Sequence, residues 1–305
     1  MKKKKTLKKG FNINKILIFI AVIIACNISV LYVNADQSSA EIPVDVPDQN
    51  VTVDITNGVK EFTDAVECYM YAEASLLAST CSSTITGFVK GSWAGKVMVH
   101  QTMDNTRYFD NNGVRYSTST SLKQGSLGKN NYQRTVFNPK DADAKVYKIV
   151  TNTANNGVPN FSNVNWQAYT QAEYEKEFGS VPGKLMYLVR KSTVEKIETF
   201  EKTADGGYHV VLQLNKVTSV QSYKKLLRSS AGAMATSYPK FSSVRVEAWI
   251  DKYGNFIKNI MDDKATITMG LEIVSVECTM VSHYEEIFHN IGGNVEQPFE
   301  IPFSA

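Results

Sequence analysis

The chain has 305 residues, of which 43% are hydrophobic and 21% charged, a composition that excludes a largely disordered protein. Seven lysines and no acidic residue fall within residues 1–35, so the remaining residues carry 26 basic and 30 acidic side chains, a net charge of −4. A mildly acidic folded part offers no basic surface for polyanions, and we predict no nucleic-acid partner.

Residues 15–37 read "KILIFIAVIIACNISVLYVNADQ", which has the order of a secretory signal. A lysine-rich flank precedes an apolar run at 16–25, and Val33 and Ala35 are suitable residues three and one positions before a cleavage site. This pattern predicts cleavage between Ala35 and Asp36. The flank is expected to stay on the cytoplasmic side of the membrane.

Two alternatives to cleavage stay open for the same segment. Residues 23–26, "IIAC", resemble a bacterial lipobox, which would make Cys26 a lipidation site. Residues 16–33 are also just long enough to cross about 30 Å of hydrocarbon as an uncleaved anchor. All three outcomes predict an extracytoplasmic protein, either secreted or tethered to the outer face of the cytoplasmic membrane. Contact with the membrane is predicted only through this N-terminal segment.

The first elements after the leader are a stalk, a short strand and a long helix. Residues 36–49 are polar with two prolines, which is typical of a flexible stalk. Residues 50–56 alternate weakly and predict a short strand. Residues 59–79 predict a helix that follows a turn at 57–58, because apolar residues recur every three or four positions: Phe62, Ala65, Val66, Tyr69, Met70, Leu76 and Leu77.

Strand patterns dominate the middle of the chain. Residues 83–120 are rich in Thr, Val and aromatic residues, with a hairpin turn at 111–113. Residues 121–165 are polar and rich in Asn and Gly, and predict an irregular insertion with one strand at 145–150. Thr170 and Glu173 then form a capping box, which predicts a short helix over 171–178.

The last third repeats the pattern of strands, helix and strands. Residues 192–203 and 208–215 predict a hairpin around 205–207, and Thr218 with Gln221 predicts the start of a second long helix that ends near Ala235. Three strands follow over 242–288, with turns at 253–255 and near Gly270. Few helices and many antiparallel strands predict an α+β fold, with 50–305 as a single domain.

No pattern in the sequence predicts catalysis. The chain lacks the nucleophile motif G-x-S-x-G, and His283 and His289 do not have the spacing of metal-binding histidines on a helix or strand face. We therefore predict no catalytic residue, no metal site, no cofactor and no enzyme activity. Outside the leader, three cysteines could include a disulfide between Cys68 and Cys81 or could be buried thiols.

Apolar residues alternate along three of the predicted strands and point one way on each strand. Together with the apolar sides of the two long helices, they predict one sheet face that is covered by helices. The candidate ligand-lining residues are Val97, Val99, Met103, Val210, Leu212, Leu214, Val244, Val246 and Ile250.

The order of these elements resembles the LolA-like superfamily of exported carriers and sensors over residues 59–302. The resemblance rests on the leading helix, the meander "GFVKGSWAGKVMVHQ…RYFDNNGVRYS" and the closing "VRVEAWIDKYGNFIKN…FEIP". The closing pattern is also similar to uncharacterised Firmicute surface lipoproteins. The resemblance implies a large curved antiparallel sheet, a meander or half-barrel, that wraps two long helices and a short one and can hold acyl chains.

Two functions are consistent with these patterns. The first is a non-enzymatic extracytoplasmic protein that binds an apolar or amphiphilic, lipid-like ligand in the concave face of its sheet. The alternative is a cell-surface interaction or sensor module with a filled core, whose partner is a protein or cell-wall material. An apolar cavity of at least roughly 300 Å³ would favour the first function.

Overall fold

The computed structural model describes residues 58–110, 116–124, 129–137, 145–154, 157–178, 182–231, 235–271, 274–293, 295 and 299–300. The leader, the stalk and the first predicted strand lie outside these residues, and with them Cys26, Ala35 and Asp36. The predicted hairpin turn at 111–113 also lies outside them. No helix of the described ranges is both long enough and apolar enough to span a membrane.

Eleven strands form one sheet, and every pair of neighbouring strands is antiparallel. They are β1 (Cys81–Trp93), β2 (Lys96–Phe109), β3 (Tyr116–Gln124), β4 (Lys129–Phe137), β5 (Val146–Ala154), β6 (Gln167–Tyr169), β7 (Val194–Lys202), β8 (Tyr208–Leu214), β9 (Lys240–Ile250), β10 (Phe256–Leu271) and β11 (Val274–His289). The order across the sheet is β6-β5-β4-β3-β2-β1-β11-β10-β9-β8-β7. Pairing of β1 with β11 therefore joins a first meander, β1 to β6, to a second meander, β7 to β11. Strands β6 and β7 are the edges of this described sheet.

The two faces of the sheet differ because successive side chains on a strand alternate between them. Leu212 lies opposite Val246, Val246 opposite Met261, and Met261 opposite Tyr284, so these side chains share one face. All four are at most 5% exposed and pack in one core with residues of the helices. We call this the helix-covered face, and the other the outer face.

The first helix, α1 (Ala65–Ala78), starts six residues later than the sequence predicts. Asp64 is its N-cap, and its Oδ1 accepts hydrogen bonds from the backbone N–H groups of Val66 and Glu67 at 2.8 and 2.9 Å. The residues before the cap are not helical, because the backbone N–H of Phe62 donates to the Tyr208 hydroxyl at 2.9 Å. The apolar residues before Asp64 fit the helical spacing, but they belong to this non-helical segment that leads into α1.

The other two helices are α2 (Gln171–Phe178) and α3 (Gln221–Ala231). The predicted bounds and capping box of α2 are confirmed: Thr170 N and Oγ1 donate to Glu173 Oε2 at 2.8 and 2.9 Å. The second long helix was predicted to reach Ala235, but α3 ends at Ala231. Ala235 instead forms an isolated β-bridge with Met269, which places it beside the sheet.

The predicted α+β fold with two long helices wrapped by the sheet is wrong. The three helices have 14, 8 and 11 residues, and the structure is rich in β-strands, without a closed barrel among the described residues. Both helices were predicted too long, because Phe62 precedes the cap of α1 and Ala235 lies in a β-bridge, although both positions fit the helical spacing. The antiparallel arrangement and the turns at 205–207 and 253–255 agree with the sequence pattern, with φ of +87° at Gly206 and +86° at Gly254.

Residues 121–165 differ most from the prediction. They were interpreted as an irregular insertion with a single strand, but they contain the end of β3, all of β4 and all of β5. Their register is regular, from Tyr116 opposite Phe137 to Gln124 opposite Lys129. The strands of this region are themselves rich in polar residues, such as Asn130, Asn131 and Asn152, so a polar composition does not distinguish them from loops.

Candidate functional site

The candidate lining residues of the second meander lie together in the core. Val210, Leu212 and Leu214 on β8 are each 0% exposed. On β9, Val244, Val246 and Ile250 are at most 1% exposed. All six belong to one core cluster with buried residues of α1 and α3.

The three candidates on β2 are placed differently. Met103 is partly buried and packs against the edge of the core cluster. Val97 is 58% exposed, and the side chain of Val99 lies outside the described part of the structure. A register shift between Gly91 and Ser92 on β1 interrupts the regular alternation where Val97 pairs. Parity along β2 therefore does not carry Val97 onto the helix-covered face.

A segment that the sequence patterns did not single out also fills the helix-covered face. Leu185, Tyr187 and Val189 are 8%, 2% and 0% exposed and belong to the same core cluster. The segment is held by backbone hydrogen bonds such as Leu188 N–H to Ser219 O at 3.0 Å. Alternation of apolar residues over 185–189 was the available signal. These side chains occupy space that a bound ligand would need.

A buried ion pair lies in the middle of the helix-covered face. Glu286 on β11 is 0% exposed and Arg107 on β2 is 5% exposed. Glu286 Oε1 accepts hydrogen bonds from Arg107 Nε at 2.9 Å, from Arg107 Nη2, and from Ser83 Oγ at 2.5 Å. Glu286 Oε2 and the Nδ2 of Asn259, its opposite residue on β10, have no hydrogen-bond partner within the described part of the chain. The pair is neutral as a whole, which suits a structural role in a dry core.

A second buried polar cluster surrounds Asp263 on β10. The Tyr187 hydroxyl donates to Asp263 Oδ2 at 2.5 Å, and Ser282 Oγ donates to Oδ1 at 3.1 Å. Tyr223 on α3 reaches the Ser282 hydroxyl at 3.4 Å. Burial raises the pKa of Asp263 to about 6, although the hydrogen bonds from Tyr187 and Ser282 act in the opposite direction. The cluster ties α3 and residues 185–189 to the sheet.

One small apolar cavity lies at the C-terminal end of α1. It has a volume of about 10 Å³, roughly enough for one water molecule, and is lined by Leu76, Ser79, Cys81, Asn255, Phe256, Phe288 and Ile291. Two of its lining residues, Phe256 and Phe288, stack with their ring centres 5.4 Å apart. The volume lies below the roughly 300 Å³ at which ligand pockets usually begin.

The cysteines outside the leader are buried free thiols. Cys68, Cys81 and Cys278 form no disulfide with one another, and burial raises the pKa of Cys68 and of Cys81 to about 12. A thiol with so high a pKa is a poor nucleophile at neutral pH. Of the two alternatives for Cys68 and Cys81, the structure has the buried thiols.

The outer face carries a row of aromatic and charged side chains that crosses four strands. Phe88 on β1 lies opposite His283, His283 opposite Asp262, and Asp262 opposite Arg245. His283 Nδ1 is 2.7 Å from Asp262 Oδ1, and Arg245 Nη1 is 2.8 Å from Glu247 Oε2. The side chains of Arg245, His283 and Asp262 are 33%, 35% and 40% exposed. We call Phe88, His283, Asp262, Arg245 and Glu247 the outer-face row.

The described residues contain no cluster of three or more His, Cys, Asp or Glu side chains that could hold a metal ion. The adjacent carboxylates Glu285 and Glu286 point to opposite faces, as alternation requires, and Glu285 pairs with Lys258 at 2.7 Å on the outer face. What this arrangement offers chemically is recognition through exposed paired charges and aromatic rings.

The chain has few detectable similarities to known proteins. No protein-family profile and no curated protein matches the chain. Among solved structures, it is similar to the crystal structure of a β-barrel-like protein of domain of unknown function DUF1849 from Brucella abortus, at 10% identity and a TM-score of 0.26. That match covers 68% of this chain and 98% of the other. A likeness this distant carries no argument, and the resemblance to LolA-like proteins stays a prediction.

Proposed function

We propose that this protein is a non-enzymatic, extracytoplasmic interaction module that binds a protein or cell-wall partner through its outer-face row. The observation that carries the proposal is the filled core. Six of the nine candidate lining residues are at most 1% exposed, packed among side chains of α1, α3 and residues 185–189. With this face occupied, a partner meets the described domain at its outer surface.

The outer-face row has the composition of a recognition surface. Arginine and aromatic residues are enriched at the energetically important positions of interfaces, and the row offers both in Arg245 and Phe88. Its acidic and basic groups alternate across the strands, from His283 to Asp262 to Arg245. Such a pattern favours a partner with complementary alternating charges over a polyanion of one sign.

Export is part of the proposal, and its evidence is the leader sequence. An intact-mass measurement on secreted and membrane-associated protein from the host tests it. Loss of residues 1–35 would mean a released protein, a mass that begins at Cys26 with acyl chains a lipoprotein, and the full mass an anchored one. Full-length protein recovered only from the cytosol would contradict the export proposal.

The binding proposal is tested with the purified chain lacking residues 1–35. We expect it to sediment with isolated host cell walls or to bind a purified surface protein, and Arg245→Glu to weaken binding at least about tenfold. Lys225→Glu on α3 is the matched control, because Lys225 is exposed and lies on another element. Equal binding by both variants would show that the outer-face row is not the contact surface.

A second candidate function keeps the lipid-like ligand and the resemblance to LolA-like carriers. The specific observation in its favour is the apolar cavity beside Leu76, Phe256 and Phe288. For an acyl chain to fit, the side chains around this cavity have to move apart, because the cavity itself holds about one water molecule. On this proposal an acyl chain enters at the end of α1.

The carrier proposal is tested by titrating the protein with a fluorescent acyl probe. Saturable binding is expected, and Leu76→Phe should weaken it because Leu76 lines the cavity at 6% exposure. Leu77→Phe is the matched control, since Leu77 is its neighbour but is 39% exposed. Protein that binds no probe and releases no co-purified lipid would refute the carrier function and leave the interaction module.

A further inference from the structure

We propose that Arg134 on β4 forms an oxyanion-binding site that takes a carboxylate or phosphate group of a ligand. The site is separate from the outer-face row and does not depend on the partner proposed above. Three observations support it. The guanidinium contacts two aromatic rings, it has no carboxylate partner among the described residues, and the side chain is only partly buried.

The Arg134 guanidinium contacts two aromatic rings. Its Cζ is 4.3 Å from the centre of the Phe161 ring and 4.9 Å from the centre of the Phe299 ring. Phe299 is 8% exposed and is supported by Trp166, whose ring centre lies 6.0 Å away. Two such ring contacts restrict the orientation of the planar group before any ligand arrives.

Arg134 lacks the carboxylate partner that three other arginines of this fold have. Glu286 pairs with Arg107, Glu73 with Arg190, and Glu198 with Arg245. Arg134 has no such ion pair among the described residues, and its Nε is buried without a hydrogen-bond partner. A guanidinium held in this way has unused hydrogen-bonding capacity.

The energetics favour an anion at this position. Removing a charge from water is costly unless it is paired, and a cation–π contact returns only about 0.5–2 kcal/mol. The same desolvation lowers the pKa of Arg134. A bound oxyanion would supply the missing charge and accept hydrogen bonds from the guanidinium.

The geometry also indicates the shape of the ligand group. Because the side chain of Arg134 is only partly buried, a ligand can reach an N–H edge of its guanidinium. Carboxylates and phosphates pair with that edge through two parallel N–H···O bonds, whereas chloride cannot form such a pair. Both oxyanion groups share this chemistry, and the choice between them is left to the experiment.

The experiment follows the arginine Nε–H resonances by NMR while inorganic phosphate or acetate is added at constant ionic strength. Arg134→Lys identifies the resonance of Arg134 by its loss. We expect saturable shifts of that resonance with phosphate, acetate or both, and no saturation with chloride. The stronger of the two oxyanions identifies the ligand class.

Two variants distinguish a preformed site from a general effect of charge. Because Arg134→Lys removes the Arg134 resonance, binding to the variants is measured with a second resonance close to the site. The Trp166 indole N–H should show the same saturation in wild-type protein, and its apparent affinity should fall at least about tenfold in Arg134→Lys, because an ammonium lacks the planar fork. Arg228→Lys is the matched control, since the Arg228 guanidinium stacks on one ring only, that of Tyr238, at 4.3 Å. It should leave the affinity unchanged.

Two results would overturn the proposal. The first is the absence of saturation in wild-type protein up to tens of millimolar of both oxyanions. The second is equal loss of affinity in Arg134→Lys and Arg228→Lys. The wild-type titration needs no variant, so a folding defect in Arg134→Lys cannot hide the outcome.

Discussion

Removing Arg107 from the buried ion pair should destabilise the protein much more than removing both partners. Arg107→Met leaves the Glu286 carboxylate at 0% exposure, with Ser83 as its one remaining donor of those present in the native cluster. Breaking a buried pair in this way costs about 3–5 kcal/mol of unfolding free energy, because the uncompensated charge stays in the core. A loss of this size removes a large part of the stability of a typical domain.

The double variant Arg107→Met/Glu286→Leu should recover most of that loss. Replacing a buried pair by apolar residues of similar volume is often neutral or stabilising. The Ser83 hydroxyl loses its acceptor, which costs about 1–3 kcal/mol. We therefore expect the double variant to be more stable than Arg107→Met by at least about 1 kcal/mol, and the two substitutions to be strongly non-additive.

Urea unfolding followed by circular dichroism measures these free energies, with the m-value as a check on two-state behaviour. Glu285→Leu is the matched control, since Glu285 neighbours Glu286 but points to the outer face. Its pair with Lys258 has side chains 32% and 30% exposed, so its loss should cost at most about 1 kcal/mol. A cost below about 1 kcal/mol for Arg107→Met, or strict additivity in the double variant, would refute the reasoning.

Three further predictions concern single positions. Because burial raises the pKa of Asp263 to about 6, the folded state binds its proton more tightly than the unfolded state, and this stabilisation is lost as pH rises from about 4 to 6. Asp263→Asn should abolish that part of the pH profile of unfolding, whereas an unchanged profile would argue against the raised pKa. Leu212→Ala, at 0% exposure, should cost about 2–5 kcal/mol in urea unfolding, while Val97→Ala, at 58%, should stay within about 0.5 kcal/mol. Asp64→Ala should lower the unfolding free energy by about 1 kcal/mol through loss of the α1 cap, and an unchanged value would show that the cap contributes nothing.

The second meander could be predicted well from sequence because its local signals agree. Val210, Leu212 and Leu214 occupy alternate positions of β8, and the glycine turn at 205–207 fixes where β7 and β8 pair. One buried face and a tight turn together specify strand, register and face. The burial of six candidate residues followed from this pattern.

The first meander could not be predicted in the same way because its strands β3 and β4 are largely polar. Thr118 lies opposite Thr135, and Thr120 opposite Gln133, so polar residues face each other across the strands. Composition alone then resembles a loop, since the apolar alternation that marks a half-buried strand is missing. These strands are held in place by their neighbours, which is a tertiary effect.

The buried ion pair was also beyond sequence reasoning, although one signal was present. Glu286 has the same parity as Tyr284 and Phe288, which are 5% and 7% exposed, so alternation placed it on the apolar face. Its partner Arg107 is 179 positions away and comes within reach only because β1 pairs with both β2 and β11. No local pattern predicts that strand order.

Strand order decides whether an arginine in this sheet meets a carboxylate, as Arg107 and Arg134 show. Both lie within antiparallel strands and both stack on phenylalanine rings, Arg107 at 5.6 Å from the Phe109 ring centre and Arg134 at 4.3 Å from that of Phe161. Glu286 reaches Arg107 because β11 and β2 are both neighbours of β1, and because both side chains lie on the helix-covered face. Arg134 is three strands further from β11 than β1 is, on the outer face, and meets no carboxylate among the described residues. The Arg107 guanidinium is already paired with a carboxylate, whereas the unpaired guanidinium of Arg134 attracts an anion, so only Arg134 is available for binding.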